Sequence, residues 1–211
     1  MKNLYLVIIL STLSCVNSNT CEEVMEYFED GKIKLMHEYP KCANKSNYIR
    51  THFYSNGQKS SYGYFINNLK SGVFKTWFEN GQLSAIWETE KGKSIGKAKC
   101  FREDGTLERE AIAYGEAFKG YFKFYYEDEK LESEGETLND STKIGKWIEY
   151  YKNGKPEYIW NYELGKRNGI SSTYYENGNL ESILVFDNDS LKTTKVKFDT
   201  LGNVTLGEQE K

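Results

Sequence analysis

A unit of about 24 residues repeats along this sequence, and its clearest copy is GKWIEYYKNGKPEYIWNYEL at residues 145–164. Two aromatic-rich runs flank Asn153-Gly154 there, which predicts a β-hairpin because Asn and Gly both tolerate the positive φ of a tight turn. A fixed period of this length indicates a solenoid or array. Equivalent reference positions recur every 24 to 26 residues and define eight copies: Gly31, Gly57, Gly81, Gly105, Glu129, Gly154, Gly178 and Gly202.

The length and patterning of the unit predict its secondary structure. Every copy carries an aromatic residue four positions before the reference position, and the run after it alternates, with Tyr158, Trp160 and Tyr162 on one face. A unit of about 24 residues accommodates two strands and two short turns, with no room for a helix. We therefore expect an all-β, single-domain solenoid or meander of about eight antiparallel β-hairpin repeats of 24–25 residues.

Two further features concern the first strand of each hairpin. A second glycine lies nine residues before the reference position in five copies, for example Gly72 and Gly145, and we expect it to serve the turn that joins consecutive hairpins. Trp147 and Tyr150 lie three positions apart, so a regular strand would point them to opposite faces. The strand therefore either contains a β-bulge or is partly covered on both faces.

The N-terminal residues are typical of a secretory signal peptide. Lys2 precedes an apolar run from Leu4 to Leu13, which is too short to span a bilayer as a helix. We expect residues 1–14 to be removed and Cys15 to be acylated, because Cys15 follows a relaxed lipobox. Cleavage after Ser18, which would release a free exported protein, is the alternative. The boundaries that follow are a tether at 15–23, the repeat domain at 24–206 and a charged tail at 207–211.

Charge and cysteine usage limit the partners. Removing the leader takes Lys2 away and leaves 27 Lys+Arg against 31 Asp+Glu, a net charge of −4. This balance argues against nucleic acid as a partner, and we expect membrane contact through the lipid anchor only. Export would allow a disulfide between Cys21 and Cys42 that closes the degenerate first copy, with free thiols as the alternative. Cys100 is interpreted as a small apolar space-filler.

The sequence contains no catalytic or cofactor motif that we could identify. His37 and His52 lack partners at metal-ligand spacing, and CxxC, HExxH, Gly-x-Ser-x-Gly and phosphate-binding loops are absent. The many glycines fall at repeat positions, as turn residues do, whereas a cofactor loop would occur once. We predict a non-enzymatic protein without a cofactor or a metal.

The recurring pattern G-x-[aromatic]-x-x-[aromatic]-[aromatic]-x-N-G-x-L resembles the MORN-type repeat over residues 24–206. The similarity is to the bacterial variant found in YwqK-like proteins, which are often described as antitoxins of toxin–antitoxin pairs. The resemblance implies an antiparallel hairpin scaffold, and it implies that an antitoxin role is one function to consider.

These observations predict an exported protein–protein interaction module, most simply a lipoprotein of the cell envelope, or else a periplasmic or secreted protein. Two alternatives stay open: an antitoxin or immunity protein that binds a partner toxin directly, and a structural envelope scaffold. Candidate partner contacts are the unevenly occupied positions: Trp87 and Trp160, six residues after their glycines, and Arg102, which replaces an aromatic residue. Uneven core packing is the competing explanation for the two tryptophans.

Overall fold

The structure is a computed structural model that describes residues 20–114, 119–138 and 141–207. The predicted signal peptide, Cys15, the alternative cleavage site after Ser18 and residues 208–211 of the predicted tail lie outside the described residues. Those described form strands and turns only, which confirms the all-β prediction, and among them no helix is long and apolar enough to cross a membrane.

The described residues contain seventeen strands. They are β1 Cys21–Tyr27, β2 Ile33–Tyr39, β3 Tyr48–Phe53, β4 Lys59–Ile66, β5 Leu69–Trp77, β6 Leu83–Glu90, β7 Lys93–Phe101, β8 Leu107–Tyr114, β9 Lys119–Tyr125, β10 Leu131–Leu138, β11 Thr142–Tyr150, β12 Pro156–Glu163, β13 Lys166–Arg167, β14 Gly169–Tyr174, β15 Leu180–Asp187, β16 Ser190–Phe198 and β17 Val204–Gly207.

The chain divides into two compact units. Their described parts are residues 20–81 with 89–93 for unit 1, and residues 82–88, 94–114, 119–138 and 141–207 for unit 2. In unit 1, strands β1 to β5 pair in chain order, and every pairing is antiparallel. In unit 2, the same holds from β7 to β12 and from β14 to β17, and β12 pairs with both the short β13 and β14. Each of the eight reference positions thus lies between two consecutive strands of the chain, as expected for a meander.

The turn at each reference position differs from the expected one. In the second copy, Gly57 has a φ of 87° and donates its N–H to the carbonyl of Tyr54 at 2.9 Å, while Tyr54 donates to the carbonyl of Gln58 at 2.8 Å. Asn56 is not among the residues with positive φ; its Oδ1 instead accepts the N–H of Gln58 at 2.9 Å. This is a type I turn followed by a left-handed residue. The expectation of positive φ at both Asn and Gly is therefore wrong.

Two-residue turns with positive φ at both positions occur instead between hairpins. Such a turn of type I′ geometry is formed by Asn67-Asn68, Lys91-Gly92, Leu164-Gly165 and Asn188-Asp189. Gly72 lies four residues after Asn68, inside β5, with a φ of 80°, and Gly145 lies inside β11 with a φ of 61°. The prediction that these glycines serve the joining turns is therefore wrong.

The strand glycines permit β-bulges. Gly135 of β10 pairs with Trp147 of β11, whereas Glu136 pairs with Ile144, so β11 bulges at Gly145. Trp147 packs in the core, while Tyr150 donates to the Glu134 carboxylate beside Gly135, on the opposite face. The strand does bulge, but the bulge precedes Trp147; the spacing of Trp147 and Tyr150 is explained by the other alternative, because the two residues lie on opposite faces and both faces are partly covered.

The core of each unit lies on one face of its strands, which we call the aromatic face. In unit 1, the rings of Tyr48 and Phe65 stack at 4.9 Å between centroids, and His37 stacks on Tyr48 at 4.4 Å. In unit 2, the buried cluster consists of Phe122, Trp147, Trp160 and Phe186. Large aromatic rings thus make up much of the buried core in both units.

Candidate partner-binding face

A row of cross-strand neighbours runs through the aromatic face of unit 2. From Ala98 each residue pairs with the next in the order Ala98, Ala111, Phe122, Gly135, Trp147 and Trp160. Ser171 follows in the row and pairs with Leu184. Large and small residues complement each other along it: a Cβ built on Gly135 would lie 2.4 Å from the indole of Trp147. Much of the uneven occupancy seen in the sequence is therefore packing complementarity.

The two candidate tryptophans have different surroundings. Trp160 is only 9% exposed, with Phe186 edge-on at 5.9 Å and Tyr158 stacked at 5.0 Å. Trp87 is half-buried and lines a cavity of about 350 Å³. Ala98 and Ala111 pair with each other in the floor of this cavity, where two successive small side chains leave space beside Trp87. Trp87 thus remains a candidate partner contact, whereas the surroundings of Trp160 are those of a core residue.

Arg102 holds consecutive repeats together. In four other copies a tyrosine occupies its position and donates its hydroxyl to a carbonyl of the next copy: Tyr54 to Trp77 at 2.7 Å, Tyr126 to Tyr150 at 2.6 Å, Tyr151 to Tyr174 at 2.7 Å and Tyr175 to Phe198 at 2.8 Å. The Arg102 guanidinium donates to the carbonyl of Tyr125, and also to that of Leu107 at 2.8 Å. These hydrogen bonds explain why an arginine can replace the aromatic residue at this position. The recurrence of a hydrogen-bond donor at this position was the sequence signal that could have revealed it.

The asparagines of the turns link the same edges. Nδ2 of Asn153 donates to the carbonyl of Glu176 at 2.8 Å, while its Oδ1 accepts the N–H of Lys155 at 2.9 Å. Asn56 and Asn177 make the equivalent bonds to the copies that follow them. An aspartate can supply only the acceptor half of this arrangement, because it has no N–H.

Basic side chains cover the aromatic rings, a feature that the sequence analysis missed. Nζ of Lys143 lies 4.4 Å from the ring centre of Trp147, and the Arg167 guanidinium lies 4.5 Å from that of Phe186. In unit 1, the Arg50 guanidinium lies 4.6 Å from the ring centre of Phe65. Cations at this distance are attracted by the ring quadrupole. The signal for two of them was a basic residue eleven positions before the reference glycine.

Carboxylates line the other side of this face, near the glycine turns. Glu132, Glu157 and Glu181 each lie three residues after the reference position and are the unpaired residue at a register shift of the strand ladder. A bulge re-aims such a side chain. Burial, and then the charges of Glu132 and Glu157, raise the pKa of Tyr126. Along the strands of the aromatic face in unit 2, basic residues thus lie near the joining turns, aromatic rings lie in the middle and carboxylates lie near the glycine turns.

The opposite face carries tyrosine–glutamate pairs. Tyr125 donates to Glu110 at 2.8 Å, and Tyr150 donates to Glu134 at 2.7 Å. Burial, followed by the hydrogen bond to Glu110, raises the pKa of Tyr125 to about 12. The hydrogen bond from Lys99, followed by that from Tyr125, lowers the pKa of Glu110. These pairs are satisfied in themselves, which is typical of structural contacts.

The first copy is closed covalently, and its histidine is structural. A disulfide joins Cys21 and Cys42, whose Cα atoms are 5.4 Å apart, while Cys100 is a half-buried free thiol. His37 is buried against Tyr48 and accepts a hydrogen bond from Arg50 Nε at 3.2 Å, and burial followed by Arg50 lowers its pKa. Within the described ranges, no group of three or more His, Cys, Asp or Glu residues is placed to hold a metal ion.

Comparison with known families finds a similarity for part of the chain. Four segments match the MORN repeat variant, at residues 70–91, 119–139, 143–164 and 167–188. Each segment runs through the two strands of one hairpin, in the copies whose reference positions are Gly81, Glu129, Gly154 and Gly178. A comparison with curated proteins found no match. Four of the eight copies are therefore similar to the variant MORN repeat.

Proposed function

We propose that this protein is an exported, non-enzymatic interaction module that binds a protein partner through its aromatic face. The observation that supports this proposal most directly is the construction of that face in unit 2. Large rings lie there beneath single lysine and arginine side chains, and two cavities of about 350 and 490 Å³ open among them. Buried aromatic residues and arginine contribute most of the binding energy of protein interfaces, and a polar rim surrounds them.

The disulfide supports export. A bond between Cys21 and Cys42 persists in oxidising compartments and is rare in reducing ones. The signal-peptide pattern ahead of Cys15 agrees with such a location, and acylation of Cys15 would anchor the repeats at the envelope. We propose the anchored lipoprotein as the main form, with a free periplasmic or secreted protein as the alternative.

Photo-crosslinking in intact cells tests the binding proposal. A photoreactive phenylalanine replaces Trp87 or Glu132 on the aromatic face, and Ile170, which is 52% exposed on the opposite face, provides the matched control position. We expect one discrete partner to crosslink at the two aromatic-face positions but not at Ile170. Equal crosslinking from both faces, or none from the aromatic face, would refute the proposal. Fractionation of a Cys15→Ala variant tests the anchor, since loss of acylation should release the protein from the membrane.

A second candidate is an immunity protein, for which the aromatic face would be the toxin-binding surface. The resemblance of the repeat pattern to that of YwqK-like proteins supports it. The disulfide favours a toxin that acts outside the cytoplasm. Co-expression with an exported toxin encoded beside it should relieve toxicity, and unrelieved toxicity would exclude this role. A purely structural scaffold, the third candidate, should yield no face-specific crosslink.

A further inference from the structure

We infer that the larger cavity of unit 2 binds an arginine side chain carried by a basic segment of the partner protein. This inference rests on the proposed function and adds the chemistry of the partner to it. The cavity has a volume of about 490 Å³ and opens on the aromatic face between β9 and β12. A volume of this size is more than an arginine side chain needs, so part of the backbone of the partner's basic segment would also fit.

The floor of the cavity is aromatic. The rings of Phe124 and Trp147 lie 6.2 Å apart between centroids and are inclined by 36°, and Phe122 stacks beside Phe124 at 6.4 Å. Trp147 and Phe122 are only 1% and 8% exposed, so the half-buried Phe124 is the ring on which an incoming guanidinium can stack. A guanidinium is also more weakly hydrated than an ammonium, so it is less costly to bury. The floor therefore suits arginine better than lysine.

The rim of the cavity is acidic. Among the described lining residues, Glu132, Glu149 and Glu157 are carboxylates and Lys143 is the basic one, with its Nζ 3.9 Å from Glu149 and over Trp147. Burial, and then the negative charges of these three glutamates, raise the pKa of the Tyr126 hydroxyl at the cavity. An incoming guanidinium can bridge such carboxylates through its forked N–H groups.

A buried hydroxyl provides an independent indication of a ligand. Thr137 lines the cavity and is 4% exposed, yet its Oγ1 has no hydrogen-bond partner among the described residues. Leaving a buried hydroxyl unpaired costs free energy, so native proteins rarely do it without a functional or solvent partner. A donor group that enters the cavity and displaces the atoms covering Thr137 would satisfy this oxygen.

The chain itself shows how this face accepts arginine. Arg50 lies over Phe65 and Arg167 over Phe186, at 4.6 and 4.5 Å from the ring centres. At the cavity the chain supplies Lys143 on one side, and Lys152 lies 5.7 Å from the ring centre of Tyr126. The space between them, over Phe124 and facing the carboxylates, is where a partner's arginine completes the same arrangement.

The test is the binding of fluorescent hexa-arginine to the purified mature protein, measured by fluorescence anisotropy. The cavity variant carries Glu132→Gln, Glu149→Gln and Glu157→Gln. The matched control carries Glu29→Gln, Glu79→Gln and Glu176→Gln, which remove the same charge from exposed turn positions. We expect the cavity variant to bind about tenfold more weakly than wild type, whereas the control stays within about twofold.

A third variant, Thr137→Val, keeps both shape and charge. It should fold at least as stably as wild type, because it removes a buried unpaired hydroxyl, but bind hexa-arginine about threefold more weakly. Hexa-lysine should bind more weakly than hexa-arginine. Three results would overturn the inference: no binding of hexa-arginine by wild type, equal losses in the two triple variants, or equal affinity for the two peptides.

This test and the crosslinking experiment fail separately. Suppose that a partner crosslinks from Trp87 but the cavity variant binds hexa-arginine as tightly as wild type does. The proposed interaction module would then be supported, and the arginine pocket would be refuted. Loss of face-specific crosslinking would remove the proposed function itself.

Discussion

Gly135 must remain without a side chain because the indole of Trp147 lies directly over it. A Cβ at this position would be 2.4 Å from Cδ2 of Trp147 and 2.6 Å from Cε2 and Cγ, closer than such atoms approach each other. Trp147 is 1% exposed and donates its Nε1–H to the carbonyl of Glu136 at 2.8 Å. In a Gly135→Ala variant the indole has to move, which exposes part of the ring and weakens its hydrogen bond to the Glu136 carbonyl.

The magnitude follows from these contacts. Complete displacement of a buried tryptophan of about 250 Å² would cost roughly 6 kcal/mol at about 25 cal/mol per Å². The ring needs only a partial shift, so overpacking of about 1–3 kcal/mol and loss of a hydrogen bond of about 1 kcal/mol are the better guide. We expect Gly135→Ala to lower the free energy of unfolding by about 3 kcal/mol.

Urea unfolding followed by circular dichroism measures this loss. Gly207→Ala is the control, because the nearest atom to its added Cβ lies at 3.7 Å, an ordinary contact distance, and it should change the free energy by less than about 0.5 kcal/mol. In a Trp147→Leu background, Gly135→Ala should cost less than about 1 kcal/mol, since the clashing ring is gone. An undiminished cost in that background would refute the steric explanation.

Three further predictions concern single bonds. Asn153→Asp keeps the acceptor within the turn but loses the donor to the next copy, and should cost about 1 kcal/mol in urea unfolding, whereas no change would contradict the link. Cys42→Ser opens the disulfide loop to Cys21, whose sequence separation is 21, and should lower the free energy of unfolding by about 3 kcal/mol. A wild-type melting temperature that does not change on reduction would contradict this. The raised pKa of Tyr125 means that its stabilisation is complete below about pH 10 and lost as pH rises through about 12. Glu110→Gln should lower that pKa, detected by tyrosine absorbance, and make the alkaline loss of stability shallower; an unshifted titration would contradict this.

The sequence by itself was sufficient for the architecture. The period and the aromatic residue in every copy predicted a β-hairpin meander, because a unit of about 24 residues with alternating apolar positions can bury them only by pairing strands. The reference glycines were located correctly as turn residues, since local conformation depends on neighbours a few positions away. Glu129, which replaces a glycine, adopts the same positive φ of 59° within the same turn.

Only the tertiary structure decided the turn types and the roles of the uneven positions. Joining turns such as Asn67-Asn68 and the bulge at Gly145 depend on the register between strands, which a one-residue shift would alter without changing the sequence pattern. The sequence left Trp160 open as either a partner contact or a core residue and proposed Arg102 as a partner contact, and the structure decided both through their cross-strand neighbours. A side chain's role depends on what lies about 5 Å away across the sheet, and those neighbours come from residues about 10 to 25 positions distant in the chain.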